Sequence, residues 1–363
     1  MTDSLVLPEG MLSVQDFRTS LATLEGLDFE VVHMDGTHGI SVFNLPPGWN
    51  IGLKGKEDLE LTDAKVGANG KEFQLTKGSV LAVTGAVGIP PSYVRKTPGP
   101  MIQAHLNYWA AHSPGLEIKM LVKGDEALAV TKKGIVPFSN LEILDRVVQK
   151  VCKFYNVTEE DLFVDPKSLH DLRISNLRII VPSIGRSLKS ARSEDDYWCA
   201  GVQVRNSLIG ASPLTVQGYL FAMDGAYGAV CQHAAGRYNR RTMGQNTTEV
   251  YEWVEKATED VLGSLEHEFD VIESLTGEDL ESPSQVIVDV FKTYKVPLKV
   301  RQSILDYFVE EEDETYYGLV LSILQAATEE GTSEPHINTL MEVGADVARV
   351  GSQRCDACHR AFA

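Results

Sequence analysis

The chain has 363 residues, 43% of them hydrophobic and 23% charged, with a formal net charge of −18. That length is enough for two domains or one large one with a packed core. No window approaches 18 consecutive apolar residues, which excludes a membrane-spanning helix from the expectation, and the first residues, MTDSLVLPEG, lack the basic and apolar regions of a secretory leader.

The five cysteines (Cys152, Cys199, Cys231, Cys355 and Cys358) are an odd, scattered set, and a reducing cytoplasm is the expected home. The charge is unevenly placed. Residues 171–241 hold nine basic and five acidic side chains, whereas 242–363 hold eight and twenty-five. The whole-chain charge disfavours casual nucleic-acid binding, but the central segment does not.

In chain order, Val14 to Leu27 reads as a short amphipathic helix. Alternation from Phe29 to Leu53 reads as strand, and 54–72 as a loop or irregular hairpin. Thr76 is placed to cap a helix over 77–87, which Gly88 and Pro90-Pro91 end. A second helix runs over 101–112. Strands 116–122 and 127–131 are joined at Gly124-Asp125, a tight-turn pair.

Asn140 is placed to cap a helix over 141–155, whose Leu141, Leu144, Val147, Val148, Val151 and Cys152 share one face. Asp171–Pro182 reads as a strand, and Ser183–Ser193 as a basic loop. The central stretch, Tyr197 to Arg241, is a hairpin turning at 210–213, followed by small residues and a basic cluster. From Thr248 the pattern is helical: 249–272, 284–294, 298–308, 315–328 and 335–350.

The expected fold class is α+β: a largely antiparallel sheet with packed helices over 1–247, then an acidic helical region over 248–363 ending in a Cys-containing tail. There is no βαβ alternation with a Gly-rich first turn, which argues against a doubly wound nucleotide-binding sheet.

Four stretches, FQLTKGSVLAVTGAVGIPPSYVRK (73–96), ALAVTKKGIVPFSNLEIL (127–144), GVQVRNSLIGASPLTVQGYLFAMDGAYGAVC (201–231) and TYYGLVLSILQAATEEG (315–331), stand in an informative order. Together they resemble the phage/plasmid-like protein family of unknown function, over roughly residues 70–345. Two departures stand out: Cys231-Gln-His233-Ala234 replaces the family's Cys-x-Asn-Gly, and Gln325 stands where Asn is usual. The resemblance implies a bacteriophage or mobile-element origin, work in the host cytoplasm and, by genomic association, DNA metabolism. It carries no catalytic residues over.

Arg186, Lys189 and Arg192 lie in the predicted Gly/Ser loop, where backbone N–H groups help to hold phosphate. Arg205 projects from one face of a strand. Arg237, Tyr238, Arg240 and Arg241 interleave an aromatic ring with arginines, the pattern that suits single-stranded nucleic acid: phosphates on guanidinium groups and a base on the ring. The competing reading is that these arginines pair with the acidic C-terminal helices. A hairpin-rich sheet backed by a helix also resembles, at fold level only, the single-strand annealing recombinases of phages.

At the C-terminus, Cys355, Cys358 and His359 form three of the four ligands of a candidate zinc site, the alternative being a cysteine-bearing tail. No nucleophile elbow, catalytic triad or Walker loop is present, so no enzyme is expected. The expectation is a non-enzymatic, homo-oligomeric protein that binds nucleic acid, single-stranded DNA favoured, in recombination or replication. The alternative is a self-assembling structural protein that binds none.

Overall fold

The computed structural model describes residues 7–25, 29–35, 41–43, 61–68, 71–94, 96–112, 117–132, 138–165, 168–170, 174–190, 196–207, 212–223, 227–230, 237–240, 246–329, 332 and 334–352. The fold is α+β, built on two sheets and two separate hydrophobic cores.

The smaller sheet comprises β2 (Phe29–Asp35), β3 (Ser41–Phe43), β4 (Leu61–Ala68), β5 (Lys71–Thr76), β6 (Glu117–Lys123) and β7 (Glu126–Lys132), in the order β2-β6-β7-β5-β4-β3. All its pairings are antiparallel except β5 with β7. Helices α2 (Lys77–Ala86), α3 (Pro91–Val94) and α4 (Gly99–Ala111) belong to the same unit.

Thr76 caps α2 as expected, accepting from the Ser79 N–H, and Gly88 (φ +82°) reverses the chain beyond it. Val80, Val83, Ile102, Leu106 and Ala110 of the helices share a core with Phe73, Leu75, Met120 and Val122 of the strands. The segment read as a loop or irregular hairpin over 54–72 is a hairpin where it is described. Strands β4 and β5 pair with a register shift between Leu61 and Lys65.

The larger sheet holds β1 (Leu12–Ser13), β8 (Phe163–Val164), β9 (Leu169–His170), β10 (Ser175–Leu188), β11 (Asp196–Asn206), β12 (Leu214–Ala222), β13 (Tyr227–Val230) and β14 (Arg237–Arg240). Strands β10, β11 and β12 form an antiparallel centre, flanked by β8 on one side and by β13 and β14 on the other.

The sequence predicts a loop over 183–193. Instead, β10 continues to Leu188, bulging between Val181 and Gly185. The bulge absorbs the kink that Pro182 and Gly185 impose, and pairing resumes at Gly185↔Cys199.

Helix α1 (Val14–Glu25) and helix α5 (Asn140–Tyr155) contribute to the larger core. Ser139, not Asn140, caps α5: its hydroxyl accepts from the Glu142 N–H. Asn140 is buried, and its side-chain carbonyl accepts from Asn206 (2.8 Å).

From residue 247 the chain is helical: α6 (Thr247–Leu275), α7 (Pro283–Thr293), α8 (Leu298–Glu310), α9 (Tyr316–Thr328) and α10 (Glu334–Ser352). Helix α6 packs on β11, β12 and α5, while α9 and α10 pack on each other and on β13. Consequently the cores do not divide the chain at 247/248. One core runs from Val14–Leu21 through Phe138–Ala348, and the other gathers residues 64–130.

Among the described residues, no helix is long and apolar enough to cross a membrane.

Candidate nucleic-acid interface

Those residues expected to hold nucleic acid that are described are not all brought to one place. Arg186 and Arg240 sit near opposite ends of β12: the register joins Arg186 to Trp198 and Ala222, and Arg240 to Leu214. Eight residue steps of strand separate those ends, about 27 Å.

Arg186 is held by α6. Its guanidinium donates to Asp270 (2.6 Å), Glu266 (2.6 Å) and Glu273 (3.0 Å), and it stacks over the Phe269 ring at 5.6 Å. The Asp270 hydrogen bond, reinforced by the other two carboxylates, raises its pKa above the ordinary arginine value. Arg240 donates to the Glu249 carbonyl (3.2 Å) and lies over Trp253 (5.8 Å). Tyr238 is half-buried. Burial first, and then its hydrogen bond to Asp260, pushes its hydroxyl pKa upward.

Lys189 is exposed at the end of β10. Arg205 lies opposite Asn176 and Thr215, and its buried Nε has no hydrogen-bond partner among the described residues. Arg237 occupies β14 opposite Gln217. Arg192, Arg241, Cys355, Cys358 and His359 lie outside the described residues. Among the described residues, no group of three or more His, Cys, Asp or Glu side chains is arranged to hold a metal.

The acidic surface of α6 accounts for much of this. Glu255 takes Arg146 (2.5 Å) and Lys150 (3.7 Å) from α5, and Glu259 takes Lys150 (3.5 Å). The Glu266-His267-Glu268 run is split: Glu266 reaches Arg186 at the surface, while Glu268 is buried. The acidic run 310–314 likewise has one member turned inward. Asp313 is buried and accepts from the Thr315 N–H (3.1 Å) and hydroxyl (2.6 Å), bracing the start of α9.

Two features escaped the reading of the sequence. The first is a buried polar ladder across the larger sheet. Asn176 and Arg178 (β10), Gln203 (β11), Gln217 and Tyr219 (β12) and Asp165, just beyond β8, are all buried. Gln217 donates to Gln203 (2.7 Å), and Gln203 to Asn176 (2.5 Å). Asn338 of α10 accepts from Asn176 (2.8 Å) and Arg178 (3.1 Å). Tyr219 donates to Asp165, which lies 4.0 Å from Arg178. Every member from the sheet is closed off from solvent and Asn338 is partly buried, so the ladder fixes strand register and the seat of α10.

The second feature is the outer face of α4. Residues 73–116 contain no Asp or Glu, but do contain Lys77, Arg95 and Lys96. At the chain's own frequency of 51 acidic residues in 363, about six would be expected. Burying Ile102, Leu106 and Ala110 turns Met101, His105, Tyr108, Trp109 and His112 outward, the last four being aromatic.

Met101, Tyr108 and Trp109 are 52%, 55% and 49% exposed. Tyr93 of α3 stacks on His105 (5.6 Å, 27°), with its hydroxyl 2.7 Å from His105 Nδ1. Tyr108 stacks on His112 (4.2 Å, 23°), whose Nδ1–H donates to the Tyr108 carbonyl (2.7 Å). Trp109 stands edge-on to Tyr108 (5.5 Å, 84°). The signal for this face was available: an acid-free run, with Met101, His105, Tyr108 and His112 at three- and four-residue spacing.

Comparison with known proteins gives no match to a family model, to a curated protein or to a solved structure.

Proposed function

We propose that the chain is a non-enzymatic, homo-oligomeric protein of a phage or mobile element that binds nucleic acid, single-stranded DNA by preference, in recombination or replication. The observation that carries the reading is charge segregation. In a chain of net charge −18, residues 61–132 hold eight basic and five acidic side chains, and their α2–α4 layer carries no carboxylate at all. A phosphate backbone is repelled by the acidic helices and meets no carboxylate on that layer. The three long antiparallel strands β10, β11 and β12, backed by α6, supply the hairpin-rich sheet on which the analogy with annealing proteins rests.

The test is fluorescence anisotropy of a labelled single-stranded oligonucleotide with the full chain at low and moderate salt. Binding that weakens steeply with salt is expected; no binding at about 50 mM salt, where phosphate contacts are strong, overturns the reading. In that event a self-assembling structural role takes its place. One observation favours that alternative: a 580 Å³ groove between α7 and α8 lined by Ile287, Phe291, Leu305 and Phe308, with Leu298 79% and Val309 71% exposed at its margin.

A further inference from the structure

We infer that the outer face of α4, with Tyr93 of α3, is a stacking platform for the bases of a single-stranded nucleic acid; the inference rests on the nucleic-acid reading above. Met101, His105, Tyr108 and the C-cap His112 fall within one narrow stripe, 12 residues or about 16 Å long. Four bases stacked at their ordinary spacing of about 3.4 Å fit within it.

The rings are already held. Tyr93 clasps His105 through the 2.7 Å hydroxyl–Nδ1 contact, and His112 is pinned to the Tyr108 carbonyl, so little side-chain freedom is lost when a base arrives. Trp109, set edge-on to Tyr108, offers a second plane beside the stripe.

Charge decides the occupant. A partner that only needed an apolar face would be served equally well by the α7–α8 groove, whose lining includes both Arg301 and Glu314. The α4 face instead lies in the one long stretch free of carboxylates, and Lys96, exposed, sits one turn from Tyr93, its N–H donating to the Tyr93 carbonyl (3.1 Å). Aromatic planes with a cation beside them suit a flexible anionic strand whose bases are free to splay; a duplex keeps its bases stacked inside and cannot use them. The hydroxyls and imidazoles along the stripe reach base edges without demanding a sequence.

The experiment uses the full chain, a labelled 30-nucleotide oligothymidylate and a duplex of the same length. Tyr108→Ala/Trp109→Ala is expected to weaken oligothymidylate binding on the order of 10- to 100-fold, with the salt dependence unchanged. Tyr108→Phe, which keeps the ring, should stay within about twofold of wild type. Lys96→Ala should instead flatten the slope of log affinity against log salt by about one contact.

Titrated oligothymidylate should also quench the tryptophan emission of the unaltered protein, a reading that needs no variant. Wild-type binding without quenching, or with full affinity in the double variant, overturns the platform while leaving the nucleic-acid reading standing. Wild-type protein that binds no oligothymidylate overturns both. If sedimentation shows that the double variant dissolves a wild-type dimer while oligothymidylate affinity is unchanged, the face belongs to a second copy and the platform is overturned.

Discussion

At the residue scale, the polar groups of the larger sheet are placed where mispairing is most costly. Asn338 is the hinge of the ladder, accepting from Asn176 and Arg178 at once and so tying α10 to the start of β10. A buried donor stripped of its acceptor costs about 1–3 kcal/mol, and more when it is charged, so the ladder discriminates against any slipped register. Cys199, on β11, is fully buried, and burial pushes its thiol pKa up to about 12. Tyr219 is raised well above its ordinary value by burial first and by the Asp165 charge second. The unfolded chain releases these protons near pH 9 and pH 10 respectively, while the folded chain keeps them. The unfolded state therefore binds fewer protons above pH 9, and stability falls as pH rises from there toward 12. Urea midpoints should hold level from about pH 7 to 8.5 and then decline, and a thiol reagent should leave Cys199 unmodified until denaturant is added. Rapid native labelling of Cys199 would contradict its burial.

At the scale of elements, α6 takes up Arg186 of the central basic segment in ion pairs. Its 29 residues lie along the sheet, and its carboxylates meet Arg186 of β10 and Arg146 and Lys150 of α5. The carboxylates around Arg186 are themselves exposed, at 78%, 61% and 58%, so the cluster is worth little after screening. Arg186→Ala should cost about 1 kcal/mol or less, shrinking further in high salt, and should leave oligonucleotide affinity within about twofold of wild type. Chemical denaturation and anisotropy on the same variant read both. A large loss of affinity would return the interface to β10. The spacing of α4 works in the opposite direction: the residues it buries serve the smaller core, and the ones left outside come from a stretch of sequence that holds no carboxylate.

At the scale of the whole molecule, the acidic helices are structural partners of the larger sheet, and their charge is carried on faces turned away from a common core. Val250, Val254, Val261, Leu265 and Phe269 of α6, with Leu319, Ile323 and Leu340 farther on, fill the same core as Val202, Val216 and Leu220. Removing 249–363 therefore takes away the cover of β11 and β12 along with the negative charge. That truncation should give insoluble or molten protein, detected by loss of near-UV circular dichroism, rather than a protein that binds DNA more tightly. A soluble, cooperatively melting truncation would show that the sheet is stable without α6.

Much of the architecture was legible because it rests on local physics. Thr76 before a helix and Gly88 after it mark their boundaries through caps that depend on neighbouring residues alone. The apolar face of α5 and the five C-terminal helices followed from helical periodicity, and the antiparallel centre from alternation and turn residues. What the residues by themselves determined was thus the α+β class, the hairpins and the acidic helical end. The tertiary structure decided the rest. It extended β10 through Arg186 because Gly185 permits Trp198 and Cys199 to approach closely across the bulge. It gave Arg186 and Arg240 to α6 and drew Asn176, Arg178, Gln203 and Gln217 into one ladder. These outcomes depend on which distant carboxylate, amide or strand lies within a few ångströms, and neither periodicity nor spacing carries that information.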